Sequence, residues 1–137
     1  MLNINTLIEK LIEKIKILTE KYRIIYAIVF GSLIEKRFIK GESDIDLAIK
    51  VANLKESEIF DFLKSFMRDL NIDNLDIAIL NFSPFSLKYD ILTKGKVIFC
   101  KNEEELFEDK LKVRKLYDDW IYFSKIFEER EIKKVME

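Results

Sequence analysis

Seven consecutive residues, Ile24 to Phe30, carry no polar atom beyond the Tyr26 hydroxyl, and the run stops at Gly31. An unbroken β-branched and aromatic run of this kind reads as a strand covered on both faces, so the chain must supply a layer to each side of it. Helical segments are at hand to do so. From Ile4 to Tyr22, apolar side chains fall at Ile4, Leu7, Ile8, Leu11, Ile12, Ile15, Leu18 and Tyr22, the spacing of one helix face. Lys55 to Leu70 repeats that spacing with Ile59, Phe60, Phe62, Leu63, Phe66, Met67 and Leu70. Ser83 and Pro84 read as an N-cap and first helical residue for a short helix to Thr93, stopped by Gly95. Glu103 to about Lys133 reads as a long final helix.

Three further strands are predicted at Asp44 to Val51, Leu75 to Leu80 and Lys96 to Cys100. Gly31 and Ser32 leave the first strand for a segment able to start a short helix. The order of elements predicts an α/β (α+β) domain, a small mixed four-stranded sheet packed with helices, with residues 1–137 forming one unit. Such a length suits one core.

Composition removes several chemistries. With no His and a lone Cys100, the chain cannot build a Ser-His-Asp or Cys-His nucleophile, a His/Cys zinc site or an intrachain disulfide. Cys100 ends an apolar run and is expected to be a buried, inert thiol. Twenty-four basic residues balance 25 acidic ones, so no broad cationic field exists to bind nucleic acid strongly. No signal-peptide pattern opens the chain, and no apolar run approaches the ~20 residues that span a bilayer. A cytoplasmic protein without a membrane partner is the expectation.

The informative stretch runs from Phe30 to Ala48, FGSLIEKRFIKGESDIDLA. Free backbone N–H groups and the Ser32 hydroxyl at the end of a buried strand can face a phosphate, and Gly31 lets an anion come close. Asp44 and Asp46 lie two apart on a strand whose alternate positions are Ile45, Leu47, Ile49 and Val51. Both carboxylates therefore share one face, with Cα atoms about 6.5 Å apart. Asp76 opens the third strand, with Ile77 and Ile79 on its apolar face, and joins them if the two strands pair. The plainer reading leaves Asp44 and Asp46 on a solvated strand edge and Asp76 as a strand-start acid. Three acids gathered together repel one another and raise each other's pKa, which divalent cations relieve. Hard oxygen donors suit Mg²⁺ or Mn²⁺, and two such ions can hold a triphosphate and neutralise a pyrophosphate leaving group. Nucleotidyl transfer is the implied reaction.

This arrangement resembles the DNA polymerase β-type nucleotidyltransferase superfamily, whose signature is Gly-Ser, a spacer, Asp-x-Asp and a third acid on a later strand. Here eleven residues separate Ser32 from Asp44. Within it the chain is similar to the minimal nucleotidyltransferases, and to the MntA-type antitoxins of HEPN/MNT toxin-antitoxin systems in particular. The features of that likeness are the Ser83-Pro84 helix, Gly95-Lys96-Val97-Ile98, an acidic patch and Tyr117-Asp118-Asp119-Trp120. The resemblance implies that Gly31 and Ser32 hold the nucleotide triphosphate, that Asp44, Asp46 and Asp76 bind the metals, and that Asp76 helps deprotonate the acceptor. It further implies an adenylyltransferase that moves AMP from ATP to a tyrosine of a cognate HEPN-domain ribonuclease toxin and so silences it. Two readings stand beside this one: a non-catalytic antitoxin acting by occlusion, and a nucleotidyltransferase for a small alcohol. The segment after Gly-Ser departs from the Gly/Arg-rich form of many relatives, and Lys36, Arg37 and Lys40 are the cations it offers instead.

On the last helix Val113, Leu116, Trp120, Phe123 and Phe127 form one stripe, with Phe107, Leu111, Tyr117, Ile121 and Ser124 beside it. That is broader than one core contact needs. Packing on the chain's own sheet is one account. A partner helix, or a second copy of the chain in a homodimer, is the other.

Overall fold

The computed structural model describes residues 4–31 and 44–136. Helix α1 (Ile4–Tyr22) leads into β1 (Ile24–Phe30), and β2 (Ile45–Val51) follows. A 3₁₀ turn, Glu56–Glu58, opens onto α2 (Ile59–Leu70), then β3 (Leu75–Ile79) and a second 3₁₀ turn, Leu80–Phe82. Helix α3 (Phe85–Lys94), strand β4 (Lys96–Cys100) and α4 (Glu103–Met136) complete the chain. The helix start expected after Gly31 lies outside the described residues.

The four strands form one mixed sheet in the order β3-β2-β1-β4. β1 is antiparallel to both β2 and β4, and β2 is parallel to β3. Only the parallel pair needs a crossover, which α2 supplies. Asn71 ends that helix in the left-handed conformation, at φ 49° and ψ 51°, and its N–H donates to the Met67 carbonyl at 3.0 Å.

Strand alternation sorts the core into two layers. Ala27, Val29, Ile45, Leu47, Ile49 and Val51 face α1 and α2, where Leu11, Ile15, Phe66 and Leu70 meet them. Tyr26, Ile28 and Ala48 face the other way, beneath Ile91 and Leu92 of α3 and Leu106 and Val113 of α4. β1 is thus covered on both sides, as its unbroken apolar run predicts. The same alternation sends Asp46 and Lys50 of β2 to the α3/α4 face.

Three local readings need correction. Ser83 does not cap α3: its hydroxyl donates to the Ile79 carbonyl at 2.8 Å, and Pro84 is the residue before the first helical turn, not in it. The second strand begins at Ile45, leaving Asp44 just ahead of it, and the third ends at Ile79 because Leu80 enters the 3₁₀ turn. Gly95 follows α3 at a crowded corner, where an added Cβ would lie 2.3 Å from Ile28 Cγ2 and 2.6 Å from the Ile91 carbonyl. Among the described residues no helix is long and apolar enough to cross a membrane. α4, at 34 residues, extends about 51 Å, yet only Leu106 and Val113 on it are buried.

Candidate active site

The acids meet at one end of the sheet. Asp46 stands opposite Phe30 of β1 and, across the parallel pair, directly opposite Asp76 of β3. Asp44 precedes it by two residues and is exposed, as is Asp76, while Asp46 is half-buried. The strand pairing on which the placement of Asp76 depended is therefore present, and residues thirty positions apart in sequence become neighbours.

Electrostatics follows from this placement. Burial first, then the charges of Asp76 and Asp44, push the Asp46 carboxyl above its ordinary value of 3.8. Among the described residues none of the three carboxylates has a hydrogen-bond or ion-pair partner. Nor do any three acidic or thiol side chains there close into a ready-made ligand cage. Like charges on adjacent strands repel, and a cation between them would offset that repulsion. The donor set is all carboxylate oxygen and short of positive charge, which fits Mg²⁺ or Mn²⁺ held by Asp44, Asp46 and Asp76.

Gly31 belongs to this corner for a reason its sequence reading did not contain. Its φ is +74°, and a Cβ built there would lie 2.1 Å from Asp46 Oδ2. The close approach that this glycine permits is to the Asp46 carboxylate itself. Ser32, the other residue assigned to the nucleotide, lies outside the described residues, as do Lys36, Arg37 and Lys40.

Further along the same face of β2 sits a cluster that the sequence reading missed. Lys50 Nζ lies 2.6 Å from Asp109 Oδ2 and 3.3 Å from Glu105 Oε1, and the Tyr26 hydroxyl donates to Asp109 at 2.7 Å. Burial alone lowers the Lys50 pKa, but the Asp109 and Glu105 carboxylates outweigh it and hold the ammonium above its usual value. Burial, reinforced by Asp109, drives the Tyr26 hydroxyl far above its ordinary range. Lys50 stands on Asp46's face by period-2 spacing, a signal the sequence contains. Asp109, 59 residues away, offers no such signal. Beside the cluster, a cavity of about 430 Å³ is lined by Tyr26, Lys50, Leu80, Phe85, Lys88 and Asp109 among others. It touches none of the three acids, and Asp46 lies roughly 13 Å along the strand from Lys50. Cys100 is half-buried, and burial raises its thiol pKa, in keeping with an inert group.

A small mixed sheet thus carries Asp46 and Asp76 in register on neighbouring strands, beside a glycine at positive φ. The family model "Polymerase beta, Nucleotidyltransferase" matches residues 13–104, and the chain belongs to that family. No curated protein matches the chain by sequence. Several solved structures share its fold. A toxin-antitoxin solved with AMP-PNP superposes with a TM-score of 0.65 at 19% identity, covering 92% of this chain and 98% of that one. The toxin-antitoxin MntA-HepT gives 0.61 at 19%, covering 94% and 99%. A tri-AMPylated Shewanella oneidensis HEPN toxin in complex with MNT antitoxin gives 0.62 at 18%, covering 95% and 99%.

Proposed function

We propose that this chain is a Mg²⁺-dependent protein adenylyltransferase antitoxin, moving AMP from ATP to a tyrosine of a HEPN-domain ribonuclease partner and thereby neutralising it. The observation that carries the reading is the register of β2 with β3, which sets Asp46 directly opposite Asp76 with Asp44 two residues away and Gly31 against the Asp46 carboxylate. Family membership supplies the reaction class. The likeness in fold to complexes containing an ATP analogue and an AMPylated HEPN toxin supports the nucleotide and the acceptor.

Each residue then has a defined task. Gly31 and Ser32 receive the triphosphate, the serine by hydrogen bonding and the glycine by giving the Asp46 carboxylate its place beside the turn. Asp44, Asp46 and Asp76 would hold the divalent ions, which would supply positive charge against the phosphates. The tyrosine oxygen attacks the α-phosphorus of ATP, the bond to the bridging oxygen of pyrophosphate breaks, and the phenolic proton passes to Asp76 or through it to water. Asp46 must be ionised for this work, and its raised pKa means that bound cation and lost proton are coupled.

The test is incubation with labelled ATP, Mg²⁺ and a co-encoded HEPN protein. Label on a tyrosine of the partner is expected, lost in Asp44→Asn and Asp46→Asn while the complex still forms. Neutralisation without label would replace catalysis by occlusion. Label on a small alcohol alone would replace the protein acceptor.

A further inference from the structure

The distal half of α4 carries large apolar side chains that the fold does not cover. Trp120, Phe123 and Phe127 are 60%, 66% and 65% exposed. They line a shallow groove of about 530 Å³ together with Ser124, Ile126 and Arg130. Their positions continue an unbroken three-and-four repeat, Val113, Leu116, Trp120, Phe123, Phe127, Arg130 and Lys134, which is the seam of a two-helix coiled coil. The proximal part of the seam is occupied: Val113 is buried beneath α3 and the sheet. From Trp120 onward it has no partner on another element among the described residues.

We infer that the distal seam of α4 pairs antiparallel with the same seam of a second copy, giving a two-fold symmetric dimer. Charge along the helix selects both the partner and its direction. With the two helices antiparallel and centred near Lys125, Phe123 of each copy meets Phe127 of the other, and Trp120 meets Arg130, a stacking cation–π pair. Asp119, on the flank of the seam, comes beside the second copy's Lys133. The two Ile126 side chains approach near the symmetry axis. Every pair off the axis occurs twice, as a two-fold interface requires. A parallel pair would set Arg130 against Arg130 inside the seam and leave Asp119 and Lys133 without each other. Six aromatic side chains, joined by Leu116, Ile126 and the Lys134 stems, remove on the order of 1,000 Å² from water, the lower bound for a specific interface. Overlap of residues 116–134 also leaves the two sheets at opposite ends of the helix pair, so neither acidic corner is covered. Self-pairing and nucleotidyl transfer therefore stand or fall separately.

Sedimentation of the full chain over a concentration series tests the pairing, with circular dichroism reporting that each variant is folded. A monomer–dimer equilibrium is expected. Asp119→Lys and Lys133→Asp, each on the exposed helix surface, should each weaken the dimer about tenfold, since either turns two attractive pairs into two repulsive ones. Combining the two restores the pairing. Phe123→Lys should abolish it. A chain that stays monomeric at about 100 μM, or a dimer indifferent to the charge reversals, overturns the proposal. So does a monomer whose Trp120 fluorescence becomes shielded only on adding a HEPN protein, which would give the seam to that partner.

Discussion

Asp46 and Lys50 stand four residues apart on one face of β2, and their surroundings are opposite. Lys50 is enclosed by Asp109, Glu105 and, through Asp109, the Tyr26 hydroxyl, so its charge is answered within the fold. Asp46 faces Asp76 and Asp44, and its charge is opposed. One end of the face ties α4 to the sheet. The other holds repulsion in reserve for a ligand that brings positive charge. One face of one strand thus carries an answered charge and an opposed one four residues apart.

Four changes test that contrast, beginning with the largest. Asp46→Asn should lower AMP transfer at least about a thousandfold, as loss of a metal-binding carboxylate does. The same change should raise Tm by thermal unfolding without metal, because it removes the opposed charge. A fall in Tm would mean that Asp46 is stabilising and the contrast is wrong. Asp109→Ala should do the reverse, costing about 1–3 kcal/mol by leaving Lys50 and the Tyr26 hydroxyl short of a partner. At this chain length that lowers Tm by roughly 4–10 °C, with Mg²⁺ affinity unchanged by titration calorimetry.

Gly31→Ala ranks third. A side chain at positive φ costs about 1–2 kcal/mol, and the new methyl must displace the Asp46 carboxylate, so transfer should fall more than stability does. Comparing kcat with Tm in this variant separates the two effects.

The smallest effect is on pH. Because the folded pKa of Asp46 lies above 3.8, the folded state holds its proton more tightly than the unfolded chain. Its contribution to stability is most favourable below 3.8 and is lost as pH rises through the raised value. Asp69 runs the other way: Lys21 first, then the Tyr22 hydroxyl and Arg68, hold it down to about 2. Its contribution is present above 3.8 and is lost as pH falls toward 2. Acid titrations of unfolding should show Lys21→Met moving only the second feature, and Asp46→Asn only the first.

What could be read from the residues follows a simple division. The bounds of α1, β1 and β4 were legible because a 3.6-residue period in the first and unbroken apolar runs in the other two stopped cleanly at Arg23, at Gly31 and at Lys101-Asn102. The acidic corner was legible for the same reason: period-2 spacing puts Asp44 and Asp46 on one face, and a helix between two strands makes their parallel pairing the natural one. What escaped depended on distant partners. Ser83 has the chemistry of a cap but finds the Ile79 carbonyl first. Lys50 looks like an exposed strand cation until α4 brings Asp109 over it. Nor could the sequence show that Gly31 is pressed against Asp46, since φ and carboxylate rotamer are set by the assembled sheet.

The parallel pairing of β2 with β3 has a consequence for the order of events in folding. β1 and β2 pair residues as near as sixteen positions apart, whereas Asp76 reaches Asp46 only after thirty residues have closed through α2, and β4 reaches β1 only across about seventy, each closure costing entropy before strand contacts repay it. A growing chain therefore sets Asp76 beside Asp46 after the first strand pair has met and before β4 closes the far edge of the sheet, so the acidic corner is assembled midway and the last strand seals a layer that already holds it.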